Sequence, residues 1–365
     1  MLRVLRLPLI MLKKQDALVP VFGAICFFLS AIEFVVPKPL PFLRLGLANV
    51  SLILALDVLS FPAFLLLASI KVIGQAVISG TLFSYVVLFS AAGTYAAALI
   101  MYGLRRIPKA LISLVGISAS GAFVSNSIQL LLGRYLIFGE GIWYILPPFL
   151  CVGVISGVAL GIFCEKCVTD LTWYAEVTKA DYAITLSIPQ EDNPRTTYPF
   201  LRVAIGLFLL LVLLFIPNFA VKTVIFAASL VLCIIEKQKI HGLRFIISTV
   251  SIMFCHLLFP IGKELITIGS FSITGGALLN GLEKVLILES MIHISRWTMQ
   301  TSLSIPGRFG KILNESLYIF KRLLELKDKI RPRALFVSID EILLSLPFII
   351  NKPVATTQLS QQVEY

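Results

Sequence analysis

The feature that most limits what this chain can fold into is a series of long apolar runs. They fall at approximately 17–36, 46–60, 62–80, 84–103, 110–133 and 145–164, and again at 201–217, 219–236, 244–261 and 276–298. A helix rises ~1.5 Å per residue, so ~20 residues cross the ~30 Å hydrocarbon layer of a bilayer. With 58% hydrophobic and 14% charged residues and a mean hydropathy of +0.94, the chain reads as an all-α, polytopic membrane protein. The second run is short and is expected to start in the preceding loop or to lie tilted.

The formal charge of +11 excludes little by itself. The basic residues lie between apolar runs and no basic-aromatic binding module is present, so they orient a membrane protein rather than bind nucleic acid. Arg3, Arg6, Lys13 and Lys14 precede the first run, and Arg105, Arg106 and Lys109 follow the fourth. A cytoplasmic amino terminus puts both clusters inside, places Lys38, Arg44 and Arg134 outside, and leaves the carboxy terminus cytoplasmic. The first run continues into Glu33 and prolines without a cleavage pattern, so it is expected to be retained.

Composition also divides the chain. A six-helix membrane domain is expected over 1–168, a charged cytoplasmic linker over 169–199, and about four further membrane helices with amphipathic cytoplasmic helices over 200–350. A polar tail follows at 351–365. The run at 276–298 holds Glu283, Lys284, Glu289, His293 and Arg296, a load that suits a helix that either faces protein or emerges early into the cytoplasm. Residues 305–331 and 334–350 are read as amphipathic helices, either solvated or docked onto a cytoplasmic partner.

Between the first two runs lies Pro37-Lys38-Pro39-Leu40-Pro41-Phe42-Leu43-Arg44-Leu45-Gly46-Leu47-Ala48-Asn49. Prolines at alternate positions remove backbone donors and fix φ, so this stretch cannot extend the preceding helix. It is expected to form an outer lid. Polar residues at membrane depth supply the candidate cavity beneath it. Glu33 ends the first helix, Lys71 lies about 13 Å into the third, and Gln75 shares its face. Asn126 and Gln129 share a face of the fifth helix, near Ser118 and Ser125. A lysine at this depth costs ~2.5–3.5 kcal/mol unless it meets water or an acceptor. Lys71 is therefore either half of a structural pair with Glu33 or Asp57, or part of a ligand site. Lys38, Arg44 and Lys71 suit an anionic group on such a ligand.

Catalytic signals are missing. No Gly-x-x-x-x-Gly-Lys-Ser/Thr loop is present, so ATP would have to bind on a partner subunit. The aspartates are isolated, without the clusters that hold magnesium and a diphosphate. Cys164 and Cys167 form one C-x-x-C without a second pair, which does not make a metal site.

Ala31-Ile32-Glu33-Phe34-Val35-Val36-Pro37, Arg44-Leu45-Gly46-Leu47-Ala48-Asn49, Ile70-Lys71-Val72-Ile73-Gly74 and Ser118–Gln129 together resemble the heptaprenyl diphosphate synthase component I membrane family, also called the Gx transporter family. That family is similar to the substrate-binding S components of energy-coupling factor transporters. The resemblance implies a six-helix bundle that takes a small molecule from outside, with Glu33, Arg44, Asn49, Lys71, Asn126 and Gln129 as its binding residues. The chain departs from the pattern at Lys71, where arginine is expected, and at Ser125, where histidine is. Residues 273–282 and Ile294-Ser295-Arg296, with the amphipathic helices after them, resemble a T component, which implies cytoplasmic ATPase subunits docked through residues 305–350. The alternative is a membrane subunit of an isoprenoid diphosphate synthase system that presents lipid substrate to a soluble enzyme.

Overall fold

A computed structural model describes residues 14–35, 46–108, 111–178, 183–186, 199–238, 242–268, 271–299, 307–331, 334–346 and 348–351. The lid stretch 36–45, including Lys38 and Arg44, the charged residues before Lys14 and the tail after Asn351 lie outside them. The chain is an all-α membrane protein. Among the described residues, four runs are long and apolar enough to cross a bilayer: Ala17–Phe34, Phe61–Ser79, Tyr85–Leu104 and Leu114–Asp170, the last containing two helices.

The first half is built from α1 (Lys14–Val35), α2 (Asn49–Ala55), α3 (Phe61–Ser79), α4 (Tyr85–Leu104), α5 (Leu114–Gly133) and α6 (Ile142–Asp170). Local sequence explains the breaks between them. Ser60 and Pro62 open α3 and Gly80, at φ +66°, ends it. The Ser113 hydroxyl accepts the Gly116 amide at 3.2 Å to cap α5. A π-helical turn, Arg134–Phe138, and a short 3-10 turn join α5 to α6.

The expected second span is a 7-residue helix. At ~1.5 Å per residue it covers only about a third of the hydrocarbon thickness. Its register against α1 is set by the Ser51 hydroxyl donating to the Phe22 carbonyl at 2.6 Å and by the Cys26 thiol donating to the Ala48 carbonyl at 3.4 Å.

Helices α5 and α6 meet along Gly153, Gly157 and Gly161, one residue per turn of α6. A Cβ on Gly157 would lie 3.0 Å from the Ala119 Cα, and one on Gly161 2.5 Å from the Val115 Cα, so the seam requires glycine.

The start of the expected linker is folded. Helix α7 (Thr172–Thr178) buries Trp173 edge-on against Phe22, ring centroids 5.9 Å apart. The Tyr174 hydroxyl donates to the Leu54 carbonyl at 3.1 Å, and burial holds that phenol above its ordinary range. Strand β1 (Ala183–Leu186) pairs antiparallel with β4 (Phe348–Asn351) near the end of the described chain.

The second half contains α8 (Pro199–Phe215), α9 (Phe219–Ile235), α10 (Gly242–Leu257) and α11 (Gly275–Met299), with a ribbon of β2 (Glu264–Ile268) and β3 (Phe271–Thr274) before α11. The ionisable residues of α11 face protein, as expected. Glu289 and His293 are buried, Glu289 accepts from the Ser248 hydroxyl at 2.6 Å, and Glu283 pairs with buried Lys222. Helix α12 (Gly307–Leu326) turns its apolar face inward against α1. Phe320 meets Phe27 edge-on at 6.1 Å, and a Cβ on Gly23 would lie 2.6 Å from the Ser316 hydroxyl. The charged residues Lys311, Lys321, Arg322, Lys327 and Lys329 stay exposed.

The two halves meet at one end of the first bundle. Arg244 donates to the Phe34 carbonyl at 2.6 Å, the Phe83 amide to the Ser295 hydroxyl at 3.1 Å, and the His256 imidazole bonds the Ile137 carbonyl at 2.8 Å. Helix α10 therefore runs from the end of α1 to the α5–α6 connection, across the end of that bundle. Arg244 thus sits at the level of Phe34.

Candidate functional site

Beneath the segment Gly46–Asn49, residues from all six helices converge on one polar cavity. Glu33, at 2% exposure, comes from the last turn of α1, Lys71 and Gln75 from the middle of α3, and Ser90 and Thr94 from α4. Ser118, Ser125, Asn126 and Gln129 come from α5 and Ser156 from α6, while Asn49 opens α2.

Many of these polar groups are held by neighbours. The Glu33 carboxylate accepts the backbone amides of Leu47 at 3.1 Å and Gly46 at 3.4 Å. Gly46 takes φ +84°, and the Asn49 amide donates back to its carbonyl at 2.7 Å, so a tight turn faces both amides toward the carboxylate. The Lys71 ammonium donates to the Asn49 side-chain oxygen and to the Thr94 hydroxyl at 3.3 Å. The Gln75 amide donates to the Ser30 hydroxyl, and the Gln129 amide to the Ser125 hydroxyl at 3.0 Å. The Ser118 hydroxyl donates to the Gly157 carbonyl at 2.6 Å. Gly93 and Gly153 make room, since an added Cβ would strike the Gln129 and Asn126 side chains respectively.

Five of the six residues expected at the site, Glu33, Asn49, Lys71, Asn126 and Gln129, line this cavity, and Arg44 lies outside the described residues. Asp57, one structural partner considered for Lys71, bonds Arg105 Nε at 2.6 Å at the far end of the bundle, and that bond raises the guanidinium pKa. Gln75, on the same face of α3 as Lys71, also lines the cavity. Ser90, Thr94 and Ser156 were missed. The i, i+4 spacing of Ser90 and Thr94 around Gly93 was the available signal.

The space enclosed is about 40 Å³. That volume holds on the order of three waters. The described lining contains one carboxylate and one ammonium, otherwise hydroxyl, amide and small apolar groups, and no aromatic ring. Such a wall can hydrogen-bond a hydrophilic molecule from every side. It offers no stacking surface and no long apolar channel. No cluster of three metal-ligating side chains occurs among the described residues.

A family model spans residues 22–167, the whole of this cavity-forming region. It matches heptaprenyl diphosphate synthase component I. The matched region begins at Phe22 and ends at Cys167, near the end of α6, so all five cavity residues fall inside it. Residues 198–301 match a second model, a domain of unknown function, DUF8519. No curated protein and no solved structure matches the chain.

Proposed function

We propose that the first bundle is a membrane receptor for a small hydrophilic solute and that the second half couples it to separate ATPase subunits for uptake. The observation that carries this reading is the polar cavity around Lys71 and Asn126, built from polar groups of six helices within a protein whose exterior is apolar. Burying so many hydroxyls and amides at membrane depth is costly unless they are hydrogen-bonded, and the partners they have here are gathered around one shared space that a polar ligand can enter. An anionic group on the solute would meet Lys71. The exposed charged face of α12 and the turn after it, with Lys311, Lys321, Arg322, Lys327 and Lys329 beside Glu325 and Asp328, supports a contact with a cytoplasmic partner, because the apolar face of that helix is already used inside the chain.

The matched family's description favours a second reading, a membrane subunit of an isoprenoid diphosphate synthase system. The cavity argues against it, since a prenyl chain needs an apolar channel and the described lining is mostly polar.

Lys71→Ala and Asn126→Ala are each expected to abolish solute-dependent uptake in membrane vesicles while leaving protein abundance in the membrane unchanged. Full uptake by both variants overturns the transport reading. Prenyl transfer by a soluble synthase only when this chain is added would replace it with the second.

A further inference from the structure

Helix α11 carries ionisable groups that the cavity does not use, buried where it packs against α9 and α10. Glu289 is 6% exposed and His293 4%. Four residues apart, they share a face of the helix one turn from each other. The His293 ring packs on Phe226 of α9, centroids 5.8 Å apart, and Phe226 stacks on Phe245 of α10 at 6.2 Å.

The charges around Glu289 do not neutralise it directly. Glu283 has its own partner, Lys222 of α9, whereas no cation pairs with Glu289 among the described residues. The charged side chain that acts on it is Arg296, two turns along α11. From α10, Arg244 is engaged at the Phe34 carbonyl and ring, and from α9 the Cys233 thiol donates to the His293 carbonyl at 3.5 Å. Arg202 of α8 pairs with Glu236. His293 Nδ1 is buried without a hydrogen-bond partner, so an imidazolium there would bury an unserved N–H, and the neutral ring supplies no counter-charge.

The proton count around Ser248 of α10 then becomes informative. Its hydroxyl oxygen lies 2.6 Å from Glu289 Oε1 and 3.0 Å from the Phe245 carbonyl oxygen. A serine hydroxyl has one proton to give. With Glu289 ionised, that proton serves the carboxylate and the Phe245 contact has none. With Glu289 neutral, the carboxyl proton goes to Ser248 Oγ and the serine proton to Phe245, and both separations are hydrogen bonds. The 2.6 Å distance suits either direction, so the count decides between them. Burial points the same way, because an ionised carboxylate with a single hydroxyl donor leaves most of its acceptor sites unserved.

We propose that Glu289 is a proton-binding site of the second half, a neutral acid whose proton completes the chain from Glu289 through Ser248 to the Phe245 carbonyl and so ties α11 to α10. On release the carboxyl O–H bond breaks, its electron pair stays on the carboxylate, the proton passes to a solvent base, and the Ser248 hydroxyl turns from Phe245 to Glu289. The charge left between the helices makes their contact proton-linked. The site is separate from the solute cavity and does not rest on its being a receptor.

Infrared spectroscopy of the full-length protein in detergent tests this. At neutral pH the wild-type minus Glu289→Gln difference should contain the carbonyl band of a neutral carboxylic acid. Ser248→Ala should move that band to higher frequency, because the acid loses its hydrogen-bond acceptor. Raising the pH should remove the band reversibly and replace it with carboxylate bands. Carboxylate bands alone at neutral pH, or an acid band that Ser248→Ala leaves unmoved, would overturn the proposal. Should the glutamine variant not fold, the wild-type minus Ser248→Ala difference decides by itself: a paired shift of one acid band supports the site, and a shift confined to carboxylate bands removes it.

Discussion

Lys71 shows how one residue's surroundings decide its meaning. A lysine midway along an apolar helix demands acceptors, and the sequence alone could supply a carboxylate or a ligand. The folded chain surrounds it with the Asn49 amide, the Thr94 hydroxyl and a cavity. The glycines of α6 divide that surrounding into separable parts. At Gly161 an added methyl meets the Val115 backbone, which cannot rotate away, so Gly161→Ala is expected to destabilise by ~1–3 kcal/mol in thermal unfolding. At Gly153 it meets the end of the Asn126 side chain, which can swing. Gly153→Ala should therefore cost less stability than Gly161→Ala but more uptake, because the displaced amide belongs to the cavity. The pattern of glycine every fourth residue was legible in the sequence. Which group each glycine admits was not, since that depends on the register of α5.

Helix α12 illustrates the element scale. Its periodicity announces an amphipathic helix, expected either solvated or docked onto a cytoplasmic partner, and the helix instead packs on this chain's own α1. Its apolar face covers α1, where Gly23 admits Ser316 and Phe27 meets Phe320. Gly23→Val should lift α12 and expose it to limited proteolysis while α3 to α6 stay protected. Glu315 offers a pH test of the same packing. Burial raises its carboxyl pKa above the ordinary value of 4.5, with Lys311 opposing the shift. A raised acid favours the folded state most when protonated, so this contribution is present below pH 4.5 and is lost as pH rises through the folded value. Glu315→Gln should accordingly raise the melting temperature slightly at neutral pH and leave it unchanged below pH 4.5, measured by melts across that range. Helix α2 shows the opposite case. Its run of apolar residues reads as a span, but Gly46 to Ala48 are used to close the cavity, leaving too few residues to cross.

On the scale of the whole molecule, the second half lies against the end of the first bundle where the cavity is closed. The Phe83 amide bonds the Ser295 hydroxyl at 3.1 Å, which brings the two halves into direct contact there. A Phe83→Cys, Ser295→Cys pair is expected to cross-link under mild oxidation and to hold the halves together after proteolysis between them, seen as one band on a non-reducing gel. Separate bands would mean that this contact is not kept in solution. The membrane class, the helical character and four polar residues of the cavity, Glu33, Lys71, Asn126 and Gln129, were legible in the sequence itself, while Asn49 was expected from the family resemblance. Hydropathy, helical period and the cost of a buried polar group are local properties that a linear reading captures. Only the tertiary structure decided that Ser90, Thr94 and Ser156 join those five, that α7 and α12 pack onto the first bundle, and that Arg244 reaches the end of α1. These facts depend on contacts between residues far apart in the chain, and no local pattern of charge or hydropathy encodes the angle at which one helical layer crosses another.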